Sequence, residues 1–165
     1  MKLYFLRHGI SWDRSEWSGS EHDRPLTREG EEKMKLIGDA LLKWSVKPDL
    51  ILTSPLTRAH QTAVIVAATL QARHGMEVDE RLGPGFDGEA LAEILREHSG
   101  LKSLMLVGHE PGLSRAVDSV IGGGSISLKK GGLACVKLDD PLSLKGELTA
   151  LIPPRILAPE PTISQ

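Results

Sequence analysis

The sequence predicts an α/β domain with a largely parallel sheet, and two observations lead to that prediction. Short apolar segments, typical of buried strands, alternate with longer segments in which apolar residues recur at helical spacing. After the last helical segment, two strand-like segments follow one another, which indicates a strand pair at the end of the chain. Alternation of this kind is typical of chains whose helices pack against a parallel sheet.

Three apolar segments are predicted as buried parallel strands, because each is a short and nearly continuous apolar run. They cover residues 2–6, 49–53 and 103–107. The late strand pair is predicted at residues 131–138 and 147–152, joined by a turn at residues 139–146. From Pro153 onward the chain contains four of its ten prolines, and we expect an extended or loosely packed tail.

Four helices are predicted between these strands from the spacing of their apolar residues. The first has Thr27 as its N-cap and places apolar residues on one face: Met34, Ile37, Leu41 and Trp44. The second covers residues 56–72. The third presents Leu91, Ile94, Leu95 and His98 on one face. The fourth begins with Pro111 in its first turn and presents Leu113, Ala116, Val117, Val120 and Ile121.

Length and composition limit the class of protein. A chain of 165 residues corresponds to one domain, and we place it at residues 1–157 with a tail at 158–165. The formal net charge of −2 and the 4% aromatic content argue against nucleic acid or an anionic membrane as the partner. The single cysteine, Cys135, excludes an internal disulfide and is expected to be a packed thiol. With no signal peptide or membrane span in the sequence, we expect a cytoplasmic protein, with a monomer as the default.

Polar residues collect where the predicted strands end. The first strand leads into Arg7 and His8, the second leads into Ser54 with Arg58 close behind, and the third leads into His109 at a helix start. Ligands of open α/β sheets bind at the carboxyl ends of the strands, so these side chains are expected to converge on one crevice. Two guanidinium groups and two helix N-termini in one crevice favour a bound anion such as phosphate.

The histidines suggest chemistry in addition to binding. Positive charge nearby disfavours the imidazolium form, so His8 is expected to be neutral and nucleophilic. It would attack phosphorus and form a phosphohistidine that water then hydrolyses. His109 is expected to be protonated and hydrogen-bonded to a phosphoryl oxygen. The other four histidines show no metal-ligand spacing, and no metal site is expected.

Other catalytic motifs do not fit the sequence. Residues 83–88 match G-x-G-x-x-G, but the preceding segment at 77–81 is short and charged, and no acidic residue closes a strand about 20 positions later. Nucleotide binding is therefore not expected. A cysteine-based phosphatase would need an arginine where the chain has Pro141, and motifs for a serine nucleophile, a P-loop or a zinc protease are absent from the sequence.

The same segments give the sequence a family resemblance that covers it from Met1 to about Leu157. It resembles the histidine phosphatase superfamily, which includes the phosphoglycerate mutases, in four segments: 7–9 (RHG), 24–27 (RPLT), 54–62 (SPLTRAHQT) and 107–112 (VGHEPG). The late segments 131–134 and 151–153 are similar to its short bacterial SixA-type phosphohistidine phosphatase branch. The resemblance implies a three-layer α/β/α sandwich of the phosphoglycerate mutase type.

The resemblance also implies roles for individual residues. His8 is the phosphorylated nucleophile, Arg7, Arg58 and His109 form the phosphate pocket, and neither a metal nor an organic cofactor is used. A departure from the family pattern is that Ile10 and Ser11 follow the R-H-G segment. Relatives that act on esters also have an acidic proton donor, for which this chain offers three candidates: Glu80, Asp87 and Glu110. Glu110 can equally be a helix N-terminal residue favoured by the dipole.

A weak or absent acid suits an N–P substrate, because imidazole leaves more readily than an alkoxide. The first hypothesis is therefore a phosphatase for phosphohistidine in a protein partner. The alternatives are the same chemistry on a small phosphate ester and a catalytically silent phospho-binding module. A mutase is disfavoured, because it requires a closed site that excludes water. Trp12 and Trp17, in the loop at residues 10–25, either flank the entrance for a protein partner or pack the loop down.

Overall fold

The computed structural model describes residues 1–159, which form a six-stranded sheet with helices on both faces. The strands are β1 Lys2–Arg7, β2 Leu50–Thr53, β3 Met76–Val78, β4 Ser103–Gly108, β5 Leu133–Asp140 and β6 Lys145–Ile152. Their order in the sheet is β3-β2-β4-β1-β5-β6. The first four strands are parallel to one another, and β5 runs antiparallel to its two neighbours, β1 and β6. The predicted sheet, largely parallel with a closing strand pair, is therefore confirmed.

Helices cover both faces of the sheet, which confirms the predicted three-layer arrangement. They are α1 Arg28–Lys43, α2 Thr57–Leu70, α3 Gly88–Glu97, α4 Gly112–Ile121 and the short α5 Pro154–Leu157. Strand β1 alternates between two apolar clusters, because successive side chains point to opposite faces. Leu3 and Phe5 lie in the cluster with α3 and α4, and Tyr4 and Leu6 lie in the cluster with α1 and α2.

Helix α1 begins as predicted, with the hydroxyl of Thr27 accepting a hydrogen bond from the Gly30 N–H at 3.0 Å. Met34, Ile37 and Leu41 are buried. The prediction was wrong for Trp44, which is 49% exposed. The helix ends at Lys43, so Trp44 follows the last turn and no longer shares the buried face.

Strand β3 was not predicted, because the residues around it are charged. It pairs with β2 alone and forms an edge of the sheet, where Glu77 and Val78 are exposed. An edge strand needs neither two buried faces nor two neighbours, so charged residues are tolerated there. The segment at residues 77–81, described from the sequence as short and charged, thus contributes its first two residues to this strand.

The expectation of a loose tail from Pro153 was also wrong. Pro154 opens α5, consistent with the preference of proline for the first helical turn. Leu157 and Ala158 are buried in the cluster that contains α1 and α2. The predicted tail at residues 158–165 lies outside the described residues from position 160 onward. Within residues 1–159, none of the helices has the length and apolar character needed to cross a bilayer.

Candidate active site

The polar residues at the carboxyl ends of the strands lie close together, as predicted. Strands β1, β4 and β2 are neighbours, with Arg7 opposite Gly108 and Thr53 opposite Val107. The residues that follow these strands therefore leave the sheet side by side. This register brings His8, Ser54 and His109 to the same crevice.

His8 is held in one tautomer by its own backbone. The residue is 5% exposed, and Nδ1 of its ring lies 2.8 Å from the carbonyl oxygen of Gly9. A carbonyl can only accept, so in the neutral ring Nδ1 carries the proton and Nε2 has a free lone pair. Burial is the largest cause that lowers the pKa of His8 to about 3, and His109, Arg58 and Arg7 lower it further. The predicted neutral form of His8 agrees with this pKa. Burial, however, lowers the pKa more than the neighbouring positive charges do.

The backbone around His8 is fixed on three sides. The His8 N–H donates to the Gly108 carbonyl at 3.1 Å, and the Gly9 N–H donates to the Thr62 hydroxyl at 3.0 Å. Thr62 in turn donates to the Arg58 carbonyl at 2.7 Å, which links the strand end to α2. A Cβ at Gly9 would lie 2.7 Å from Cγ of Met34, so only glycine allows this close approach to α1.

Both predicted arginines are at the site, and both are only partly satisfied by the protein. Arg58 is 6% exposed; its Nη1 donates to the Glu21 carbonyl at 3.0 Å, and its Nη2 lies 3.0 Å from the Glu21 carboxylate. Arg7 donates through Nη1 to the Leu128 carbonyl at 2.7 Å. Burial lowers the pKa of each guanidinium. An arginine remains charged in a protein, so the buried Arg58 and the partly buried Arg7 bring two positive charges to this crevice.

His109 lies beside His8, with ring centroids 5.2 Å apart and planes tilted by 53°. Its Nε2 is 2.8 Å from the Ser54 hydroxyl, which fixes the ring. Burial, followed by Arg58 and Arg7, lowers the pKa of His109 to about 4. Without a bound anion His109 is therefore neutral near pH 7, and a protonated His109 bound to a phosphoryl oxygen stays a prediction.

Several buried nitrogen atoms in this cluster have no hydrogen-bond partner among the described residues. Arg7 Nε, Arg58 Nε and His109 Nδ1 are all buried and make no hydrogen bond there. Buried polar groups are normally paired, so unpaired ones around a positive cluster indicate a ligand with several acceptor atoms. A tetrahedral oxyanion such as phosphate provides such acceptors and the matching negative charge.

A cavity of about 260 Å³ opens at this cluster. Arg58 and His109 line it, together with Arg14, Glu21 and two segments, 83–85 and 110–112. The glycine-containing segment that resembled a nucleotide motif thus forms one wall of the cavity. Larger cavities of about 390 and 470 Å³ lie elsewhere and contain none of the predicted site residues.

Glu21 is a site residue that sequence reasoning missed. Its carboxylate accepts from Arg24 at 2.7 Å and from Arg14 at 3.2 Å, in addition to its contact with Arg58. The Arg24 hydrogen bond is the largest cause that lowers the pKa of Glu21 to about 2. No local pattern marks Glu21, because an acidic residue in a polar loop is common. Thr62 was also missed as an individual residue, although the segment at residues 54–62 contains it, whereas Ser54 was named at the end of the second strand.

The three candidate proton donors have different surroundings. Glu110 lines the cavity, but its oxygens accept from the Ser114 hydroxyl at 2.5 Å and from the Leu128 N–H at 3.2 Å. Asp87 caps α3 by accepting from the N–H groups of Glu89 and Ala90, each at 3.0 Å. Glu80 is exposed on a 3-10 turn and does not line the cavity.

The two tryptophans of the loop at residues 10–25 have different surroundings. Trp17 donates its indole N–H to the Ser20 carbonyl at 2.9 Å and stacks close to Gly19, so it packs the loop. Trp12 is 43% exposed.

Among residues 1–159, no group of histidine, cysteine and acidic side chains is arranged to hold a metal ion.

Sequence comparison assigns the class of this site. A family model described as the histidine phosphatase superfamily (branch 1) matches residues 3–100. The chain belongs to this superfamily. An uncharacterized protein of Picosynechococcus sp. is 41% identical over 138 residues, which are 81% of this chain and 82% of the relative. The phosphohistidine phosphatase SixA of Escherichia coli K12 is 29% identical over 113 residues, or 67% of this chain and 68% of SixA.

Comparison of folds narrows the assignment within the superfamily. The solved structure of the protein histidine phosphatase SixA complexed with tungstate superposes with a TM-score of 0.85 at 26% identity. The match covers 95% of this chain and 99% of that one. The chain is a histidine phosphatase superfamily member of the SixA type, with the phosphoglycerate mutase-like fold of these structures.

Proposed function

We propose that the chain is a phosphohistidine phosphatase that works through a covalent phospho-His8 intermediate. The observation that carries this proposal is the His8 tautomer: Nδ1 is committed to the Gly9 carbonyl, which leaves the lone pair of Nε2 available. Arg7, Arg58 and His109 are proposed to bind the phosphoryl group through their unpaired nitrogen atoms. The active domain is proposed to span residues 1–157, without a metal or organic cofactor, in the cytoplasm and as a monomer.

The reaction proceeds in two displacements. The lone pair of His8 Nε2 attacks phosphorus, the N–P bond of the substrate breaks, and the leaving imidazole takes a proton from water. A water molecule then attacks phospho-His8, the bond between phosphorus and Nε2 breaks, and inorganic phosphate leaves. The buried arginines stabilise the charge on the three equatorial oxygens in both steps.

The surroundings of the candidate acids favour phosphohistidine over an ester as substrate. Glu110 is occupied by two donors, and Asp87 caps a helix. An alkoxide leaving group needs a proton donor, whereas imidazole needs much less help. The cavity of about 260 Å³ also lies below the roughly 300–1,000 Å³ of typical small-molecule sites. A phosphorylated side chain presented by another protein therefore suits the site, consistent with the names of the SixA relatives.

The experiment compares two substrates without added metal: a phosphohistidine-bearing protein and an aryl phosphomonoester. We expect turnover of the first, little of the second, and none of either by His8→Ala. His74→Ala, at an exposed histidine, is the matched control and should keep full activity. Brisk ester hydrolysis would instead support the small-ester alternative and a working proton donor. Phosphate binding without turnover of either substrate would support the phospho-binding module.

A further inference from the structure

We propose that Glu110 is a positioning residue that holds Arg7 in place through the backbone of Leu128, and that it is not the proton donor. The inference deepens the proposed function, since it rests on Arg7 binding the phosphoryl group. It gives a role to the acidic residue that follows His109.

A chain of hydrogen bonds runs from α4 to the arginine. The Ser114 hydroxyl donates to Oε2 of Glu110, and the Leu128 N–H donates to Oε1 at 3.2 Å. The Leu128 carbonyl then accepts from Nη1 of Arg7 at 2.7 Å. Glu110 therefore holds the N–H of the residue whose carbonyl orients the guanidinium.

The segment that carries Leu128 has little regular structure to hold it. Residues 125–129 are neither helix nor strand, and they follow three glycines with positive φ, Gly122, Gly123 and Gly124. Such a backbone has many accessible conformations and gains its order from specific contacts. The buried side chain of Leu128 is one such contact, and the Glu110 carboxylate is another.

The same contacts make Glu110 a poor proton donor. An ionised carboxylate only accepts, which suits the two donors that point at its oxygens. A proton on Glu110 would remove the negative charge that strengthens the hydrogen bonds from Ser114 and Leu128. A general acid instead needs its proton aimed at the leaving group.

The test uses Glu110→Gln and Glu110→Ala, with three readouts: tungstate binding, turnover of a phosphohistidine-bearing protein, and the slow hydrolysis of a series of aryl phosphates of increasing leaving-group pKa. Glutamine can still accept from Leu128 and donate to Ser114, so it should retain most of the binding and activity. Alanine should weaken tungstate binding about tenfold and lower kcat/KM by a similar factor for every leaving group. Glu147→Gln removes an exposed carboxylate from β6, at the opposite end of the sheet, and should change neither readout.

Two results would overturn the inference. A loss in Glu110→Gln that grows with leaving-group pKa would identify Glu110 as the proton donor. Unchanged tungstate binding in Glu110→Ala would show that Arg7 keeps its position without Glu110. If alanine prevents folding, Ser114→Ala provides the second test, with tungstate binding expected to weaken about threefold. Tungstate binding needs no turnover, so failure of the proposed function would be visible separately, as an inactive wild-type protein.

Discussion

Two arginine clusters in this molecule show how a binding site differs from a structural ion network. Arg81 is paired through all three of its guanidinium nitrogens, with Asp79 at 2.6 Å and Glu97 at 2.6 Å among the contacts. Arg58 is buried and Arg7 is partly buried, and each has a buried Nε without a partner among the described residues. Carboxylates raise the pKa of Arg81, whereas burial lowers the pKa of Arg58 and Arg7.

The difference lies in which donors remain for a ligand. A surface arginine with every nitrogen paired contributes modestly to stability and has little left to bind an anion. A buried arginine with an unpaired donor costs free energy unless something else accepts from it. An oxyanion bound in the crevice at His8 would accept from these unpaired donors, which makes its binding favourable. The guanidinium nitrogens of Arg81 are already paired with carboxylates.

The largest expected effect separates these two clusters by mutation. Arg58→Ala should lower kcat/KM about 1,000-fold, because it removes a charge that stabilises the transferring phosphoryl group. Arg81→Ala should leave kcat/KM nearly unchanged and cost about 1 kcal/mol of stability. Steady-state kinetics and thermal unfolding of both variants provide the measurement. A large drop in melting temperature for Arg58→Ala with little change in kcat/KM would reverse the comparison.

The second effect is on stability as a function of pH. His8 and His109 have folded pKa values lowered to about 3 and about 4, from 6.5 in the unfolded chain. Below pH 6.5 the unfolded state therefore binds more protons, and stability is lost as the pH falls from 6.5 toward the folded values. Denaturant unfolding from pH 7 to pH 4.5 should show this loss, with a slope of about 1.4 kcal/mol per pH unit for each proton taken up.

A histidine variant isolates this contribution from that of the carboxylates. His8→Asn should make the slope between pH 4.5 and 6.5 shallower by about one proton. His74→Asn, at an exposed position, should leave it unchanged. An identical slope in wild type and His8→Asn would mean that His8 does not resist protonation in the folded protein.

The smallest effect concerns Glu21, which lines the cavity and contacts Arg58. Glu21→Gln removes a negative charge that lies 3.0 Å from Arg58 and 2.7 Å from Arg24. Inorganic phosphate should then bind about threefold more tightly, since the arginines keep their charge and lose an internal competitor. Isothermal titration at low ionic strength measures this change. Weaker phosphate binding would show instead that Glu21 serves mainly to orient Arg58.

Much of the fold could be predicted because apolar spacing specifies buried elements directly. The three buried parallel strands and the faces of α1, α3 and α4 follow from it. Strand β3 could not be predicted, because an edge strand with one neighbour tolerates charged residues. Helix α5 was missed because a proline-rich tail gives no periodic signal, and the burial of Leu157 depends on tertiary packing against α1.

The site shows the same division. Arg7, His8, Arg58 and His109 could be placed together because they follow strands that end at one edge of the sheet. Their ionisation was harder to predict, since the pKa of His109 depends mainly on burial. Glu21 and Leu128 act on the arginines across long sequence separations, and no pattern in the chain reports such contacts.

Trapping the phosphorylated intermediate shows whether His8 carries the phosphoryl group. The protein is mixed with a phosphohistidine-bearing protein, quenched rapidly under alkaline conditions that preserve phosphohistidine, digested and mapped by mass spectrometry. We expect one phosphoryl group on His8 in the wild type and none in His8→Asn. Phosphate release from the wild type with the phosphoryl group on His109, or release by His8→Asn at the wild-type rate, would contradict the account.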